Sequence, residues 1–148
     1  MSGGGMTDIV RIRNGEVCYW PNLGYGRFGA KVTMQGAPWF DEPDQLDPQY
    51  IKLGDVDGSG TSDIFYFGNH RIKIWLNQSG NSLKPLSQDE LPRFLPVDSA
   101  TNVSIVDLMG KGTSCVVWST TNPNQYHLQK QYFIPVLMQD PGSSICFI

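Results

Sequence analysis

An all-β protein is predicted by three features of this sequence. Apolar and polar residues alternate with period two in short runs: Val10 and Ile12 interleave with Ile9, Arg11 and Arg13, and Ile72 and Ile74 with Arg71 and Lys73. The 148 residues include 16 glycines and 10 prolines, which divide the chain into short extended pieces. No segment of useful length places apolar residues at helical spacing. Further strands are expected at 30–34, 50–53, 64–67, 103–106 and 116–119, where β-branched and aromatic residues gather.

The turns between these strands repeat. Residues 55–63, Asp55-Val56-Asp57-Gly58-Ser59-Gly60-Thr61-Ser62-Asp63, follow the pattern D-x-D-G-x-G-x-x-D. Residues 1–8 match its second to ninth positions, ending at Asp8, and Asp107 to Cys115 form a third copy around Gly110 and Gly112. Equivalent positions are 55 and 52 residues apart. Trp20 and Trp75 each lie 12 residues beyond the closing Asp, and Asn22 and Asn77 two residues further on. A period near 50 with several short strands is the signature of a β-propeller blade, so the chain reads as a partial β-propeller of about two to three blades. Trp20, Trp75 and Trp118 are expected to pack between blades. Propellers usually have about 4–8 blades, so this stretch is expected to be part of a longer protein and marginally folded alone. The repeat region is 1–119, and 120–148 is an irregular or diverged tail.

The middle turn is chemically distinct. Oxygen-bearing side chains at alternating positions, with glycine at the sharp bends, suit a hard cation. The expected ligands are the side chains of Asp55, Asp57, Ser59 and Asp63 and the backbone carbonyl of Thr61. An all-oxygen set of loose geometry favours Ca²⁺ over Mg²⁺, which demands octahedral order, and over Zn²⁺, which prefers nitrogen and sulfur. Three carboxylates in nine residues repel one another unless a cation neutralises them. The loop is not an EF-hand: its twelfth position is Tyr66 where that motif needs Glu, and its flanks are extended. The third copy has Met109, Lys111 and Cys115 at ligand positions, and the first has Gly4, so only the middle copy is expected to hold an ion.

Other patterns point away from chemistry. Gly24-Tyr25-Gly26-Arg27-Phe28-Gly29 is a literal G-x-G-x-x-G, but a strand and a turn follow where a dinucleotide site needs a helix. His70 falls in a hairpin turn and His127 in the tail, with no nucleophile in motif context, so no triad forms. Asp41, Glu42, Asp44 and Asp47 read as a solvated connection. Asn77 and Asn102 begin glycosylation sequons, although Asn77 already has a place in the repeat. Cys18, Cys115 and Cys146 read as buried small residues, not a disulfide framework. A net charge of −3 without a basic stripe argues against nucleic acid as a partner. No apolar run approaches the length of a membrane span, and no signal peptide is visible.

The turn motif together with Trp20-Pro21-Asn22-Leu23-Gly24-Tyr25-Gly26-Arg27-Phe28-Gly29 resembles FG-GAP/VCBS-type repeats, as in integrin α-subunit propellers. The runs 7–32, 37–41 and 74–81 resemble more closely the middle region of the B component of bacterial insecticidal toxin complexes, the TcdB/SpvB-type proteins. The resemblance covers about 1–119 and stops near 120. It implies a secreted, non-enzymatic propeller that docks the B component onto the pore-forming A component. The rest of B joins the C component in a shell, and the propeller gates the exit of the enclosed toxic fragment. This stretch lacks most of the blades and the shell-forming part that this role needs. A calcium-dependent adhesion or carbohydrate-binding propeller is the competing expectation. An enzyme would need convergent polar residues that the sequence does not offer.

Overall fold

The computed structural model describes residues 1–68, 71–87, 101–107, 110, 112 and 114–120. Among them the chain forms three successive antiparallel sheets and one small hairpin. In the first sheet β1 (Ile9–Arg13) pairs with β2 (Glu16–Trp20), which pairs with β5 (Val32–Met34). Between β2 and β5 the chain leaves the sheet as a hairpin, β3 (Asn22–Gly24) and β4 (Arg27–Phe28). The second sheet is a four-stranded meander of β6 (Ile51–Gly54), β7 (Asp63–Gly68), β8 (Arg71–Gln78) and β9 (Ser82–Pro85). The third pairs β10 (Thr101–Val106) with β11 (Cys115–Thr120).

Sequence repetition becomes structural repetition. Moved by 55 residues, β1 falls on β7 and β2 on β8; moved by 52, β6 falls on β10 and β7 on β11. The strand after each turn also shows how the sheets stack. Directly paired residues share a face, and neighbours along a strand point to opposite faces. From β7, Ile64 and Tyr66 enter a cluster with Val17, Tyr19 and Met34 of the first sheet. Phe65 and Phe67 enter a second cluster with Val103 and Val116 of the third. A strand buried on both faces needs a continuous apolar run, which explains why 64–67 lacks the alternation of β1. The second sheet is therefore the middle layer of a face-to-face stack.

A strap formed by residues 37–50 closes the first interface. Phe40 is fully buried, with its ring edge-on to Trp75 at 5.1 Å and tilted against Tyr66 at 5.6 Å. Asn14 holds the strap like a short length of strand: Oδ1 accepts from the Phe40 N–H at 2.9 Å and Nδ2 donates to the Asp41 carbonyl at 2.7 Å. Lys73 Nζ donates to the Phe40 carbonyl at 3.0 Å. Where the first sheet meets the second, the Gln35 carbonyl accepts from the Leu83 N–H at 2.8 Å, the Gln35 N–H donates to the Asn81 carbonyl at 2.9 Å, and Gly36 has φ +70°. A Cβ at Gly36 would lie 2.6 Å from the Leu83 carbonyl oxygen, so both the turn and the close approach require glycine there.

The structure adjusts several expected boundaries. The strand expected at 30–34 narrows to Val32–Met34, and that at 50–53 begins one residue later. A 3-10 turn, Pro48–Tyr50, precedes it, capped by Asp47, whose carboxylate accepts from the Gln49 N–H. The hairpin β3–β4 replaces what the sequence suggested was only a glycine-shaped loop. Tyr25 at its tip is fully exposed with φ 52°. Trp75 packs between sheets as expected; Trp20 instead lies half-buried on the outer face of the first sheet, with the Arg11 guanidinium 5.9 Å from its ring centre. β11 runs to Thr120, one residue past the expected repeat boundary. His70, Met109, Lys111, the Trp118 and Asn102 side chains, and 121–148 with His127 and Cys146 lie outside the described residues. No helix among the described residues is long and apolar enough to cross a membrane.

Candidate metal centre

The turn between β6 and β7 is built around Asp55. Its carboxylate gathers three consecutive backbone donors: Oδ1 accepts from Gly58 at 2.8 Å and Ser59 at 3.1 Å, and Oδ2 from Gly60 at 2.7 Å. Curling the chain around one side chain needs left-handed backbone at Gly58 (φ 75°) and Gly60 (φ 81°). A Cβ at Gly60 would meet nothing within 4 Å, so conformation rather than space selects glycine there. Asp57 Oδ1 accepts from the Ser59 N–H at 2.9 Å. The Ser59 and Thr61 hydroxyls lie 2.8 Å apart, and Thr61 Oγ1 donates to the Asn77 carbonyl at 3.1 Å.

Asp63 forms the floor of the site and is completely buried. Its Oδ2 accepts from the Val56 N–H at 2.8 Å and its Oδ1 from the Asn77 N–H at 2.7 Å. Burial pushes its carboxyl up to about 6; these two donors oppose the shift, and the charges of Asp57 and Asp55 reinforce it. Asp55, Asp57 and Asp63 each offer an oxygen within 4.8 Å of the others. The three carboxylates fit one hard cation: it would neutralise the mutual repulsion that raises Asp63, and every donor is oxygen. Ser59 and Thr61 are drawn together beside them.

Features of this turn recur in all three copies. The glycine pairs Gly3 and Gly5, Gly58 and Gly60, and Gly110 and Gly112 all have φ between 62° and 82°. Asp107 Oδ2 accepts from the Gly112 N–H at 2.8 Å, as Asp55 does from Gly60 five residues on. Asp8 accepts from the Asn22 N–H at 2.9 Å, as Asp63 does from Asn77, both 14 residues on. In the first copy the Met1 amino group takes the place of the Val56 N–H, 3.0 Å from Asp8 Oδ2. Burial would raise the Asp8 carboxyl, but donors from Asn22, Ser2 and the amino terminus together hold it well below the usual carboxylate range. The third copy keeps the two left-handed glycines and the Asp107–Gly112 bond, with buried Cys115 where Asp63 stands.

Asn77 holds a constant place in the sequence repeat, and its task comes from contacts distant in sequence. Nearly fully buried, it donates from Nδ2 to the carbonyls of Met1 and Ser62, both at 3.0 Å, and accepts from the Gly80 N–H at 2.7 Å. It therefore fastens the first turn to the second, and its amide is not available to a glycan. Its detectable signal was the constant spacing from Asp63, matched by Asn22 and Asp8. The acidic stretch also gains a structural role. Asp41 accepts from the Tyr66 hydroxyl at 2.9 Å, and burial, followed by this contact, pushes Tyr66 up to about 12. The G-x-G-x-x-G glycines shape the hairpin β3–β4. An open cleft of about 310 Å³ lies between the first and second turns, lined by Met1, Gly4, Met6, Asp8, Gly60 and Ser62.

A stack of antiparallel sheets, with copies of one glycine turn beside the equivalent strands β1, β7 and β11, defines a class of repeat-built β protein. Within that class the chain resembles toxin-complex B components in three dimensions, as in sequence. It is 33% identical to a chain in the crystal structure of TcdB2-TccC3-Cdc42, with a TM-score of 0.71, over 80% of this chain and 6% of that one. The Photorhabdus luminescens Tc holotoxin pore gives 33% identity and a TM-score of 0.68, over 80% of this chain and 5% of that one. The chain thus spans about a twentieth of the length of these relatives. An Agrocybe aegerita lectin recognising non-reducing terminal N-acetylglucosamine shares the fold alone, at 23% identity and TM-score 0.58, over 80% of this chain and 30% of the lectin. No family profile matches the chain, and no curated protein does.

Proposed function

We propose that this chain is a non-enzymatic propeller segment of an extracellular toxin-complex B component, with Ca²⁺ bound by its middle turn. In that role it docks or gates between the pore-forming A component and the shell made with the C component. The observation that carries the reading is the likeness to toxin-complex structures at 33% identity across 80% of the chain. Sheets stacked face to face, with the same turn leading into β1, β7 and β11, support the blade assignment. Asp55, Asp57 and Asp63 would hold the ion, with Ser59 and Thr61 completing the loop's oxygen set. The ion supplies positive charge where three carboxylates converge. The chain's own contribution is to present those carboxylates from a turn already shaped by Gly58 and Gly60.

The test uses the 148-residue chain, its Asp57→Ala variant and a purified A component. Calcium at about 100 times its Kd is expected to stabilise the unmodified chain by about 2.7 kcal/mol and the variant by far less. Equal rises in melting temperature would remove the calcium site. Calcium-dependent binding to immobilised A component, weakened in the variant, is the result expected for docking. No binding with or without calcium would remove the docking role and leave the ion site standing.

A further inference from the structure

The turn joining β1 to β2 clasps the strap through two adjacent residues. Asn14 Oδ1 accepts from the Phe40 N–H at 2.9 Å, Asn14 Nδ2 donates to the Asp41 carbonyl at 2.7 Å, and the Gly15 N–H donates to the Pro38 carbonyl at 2.9 Å. Gly15 has φ +73°, and a Cβ there would lie 3.7 Å from the Trp39 ring, so that ring sits over the turn. The clasp is therefore an Asn-Gly pair. In such a pair the glycine nitrogen, with no Cβ to obstruct it, can attack the preceding side-chain amide. Asn69-His70, at the equivalent place in the repeat, carries a side chain on the attacking residue. In the folded protein both reacting groups are engaged by the strap: the Asn14 amide by two hydrogen bonds and the Gly15 N–H by one.

We propose that Asn14-Gly15 is a deamidation site guarded by the strap, reactive when the strap lifts and leaving it unfastened once reacted. The Gly15 nitrogen bonds to Asn14 Cγ, the Cγ–Nδ2 bond breaks, and Nδ2 leaves as ammonia with the proton that Gly15 gives up. Water then opens the resulting succinimide to aspartate or isoaspartate. Either product replaces the amide donor with a carboxylate, so the Asp41 carbonyl loses its partner and faces a negative charge. Isoaspartate also adds a carbon to the main chain of the turn between Arg13 and Glu16, which are directly paired across β1 and β2. The inference rests on the clasp alone, so it stands or falls independently of calcium and of the toxin reading.

Peptide mapping by mass spectrometry, with isoaspartate counted separately, tests it on the full chain incubated at mildly alkaline pH, folded and in denaturant. The folded chain is expected to deamidate at Asn14 at least about tenfold more slowly than the denatured one, because reaction from an open state follows that state's population. In denaturant Asn14 should react ahead of Asn69. Lys73→Met removes the strap bond that comes from the second sheet while keeping an apolar stem, and Trp39→Ala removes a ring that is 61% exposed, so neither opens the core. Each variant, with the circular dichroism of the parent, should deamidate severalfold faster at Asn14. Asn14→Asp reproduces one product, and its Phe40 amide should exchange hydrogen faster than the parent's. Equal rates for folded and denatured chain, no lead of Asn14 over Asn69 in denaturant, both variants as slow as the parent, or a Phe40 amide as protected in Asn14→Asp as in the parent would each overturn the proposal.

Discussion

Replacing Asp63 with alanine is expected to unfold the turn between β6 and β7 and to destabilise the protein by roughly 2–6 kcal/mol. Two buried donors set this cost. The Val56 and Asn77 N–H groups both end on this carboxylate, and Asp63 has no solvent exposure through which water could replace it. Each unsatisfied buried donor costs about 1–3 kcal/mol. Asp63→Asn keeps one acceptor oxygen and turns an amide group toward the other donor, so it should fall between alanine and the parent. Denaturant unfolding monitored by tryptophan fluorescence gives the ordering. Alanine and asparagine variants both within about 0.5 kcal/mol of the parent would mean that this carboxylate does not hold the turn.

The same residue sets an expected pH response. Folded Asp63 titrates near 6, above its ordinary 3.8, so the folded state binds this proton more tightly than the unfolded chain. Its favourable contribution is complete below about pH 4, fades as pH rises toward 6, and is lost above; the full difference is about 3 kcal/mol. Asp8 has the opposite sign: its lowered value stabilises the fold above the ordinary carboxylate range, so it contributes a constant amount between pH 5 and 7. In chelator, the melting temperature should therefore fall between about pH 4.5 and 7, and calcium should flatten that slope. If Asp63→Asn shows the parent's slope in chelator, the assignment to this carboxylate is wrong.

Much of this arrangement was legible because it rests on backbone conformation. The glycine pairs and the acidic residues around them are local instructions, readable without a partner, and the structure repeats them in three places. The three-carboxylate cluster was legible for the same reason, since all its members lie within nine residues. Features that depend on distant parts of the chain were not. The stretch from Asp41 to Asp47 looks like a solvated acidic connection because Phe40, Asn14 and Lys73, which fix the strap, lie far apart in sequence and meet only across two sheets. Trp20 and Trp75 occupy one repeat position, yet their burial differs, because among the described residues a neighbouring sheet and the strap cover Trp75 and not Trp20. The hairpin β3–β4 was hidden by short strands of two and three residues, too brief for a period to show.

The strap gives the second large expected effect. Phe40→Ala should cost about 3–5 kcal/mol, the range for removing a buried aromatic ring from a packed core. The ring fills the space between Trp75 and Tyr66, and its backbone is fixed by Asn14 and Lys73, so the strap has little freedom to collapse into the cavity. The consequence extends beyond the lost contact. Tyr66 donates to Asp41 from the same strap, so loosening it leaves a buried hydroxyl without its acceptor. Phe40→Leu, which retains apolar volume, should recover much of the loss, whereas Asp41→Ala should cost only about 1–3 kcal/mol, the value of one orphaned polar group. Hydrogen exchange locates the effect: amides of β7 and β8 should lose protection in Phe40→Ala before those of β10 and β11, because the ring lies in the first interface and the third sheet packs against the second. Uniform loss across all three sheets would mean that the stack unfolds as one unit and that the strap does not separately clamp its first interface.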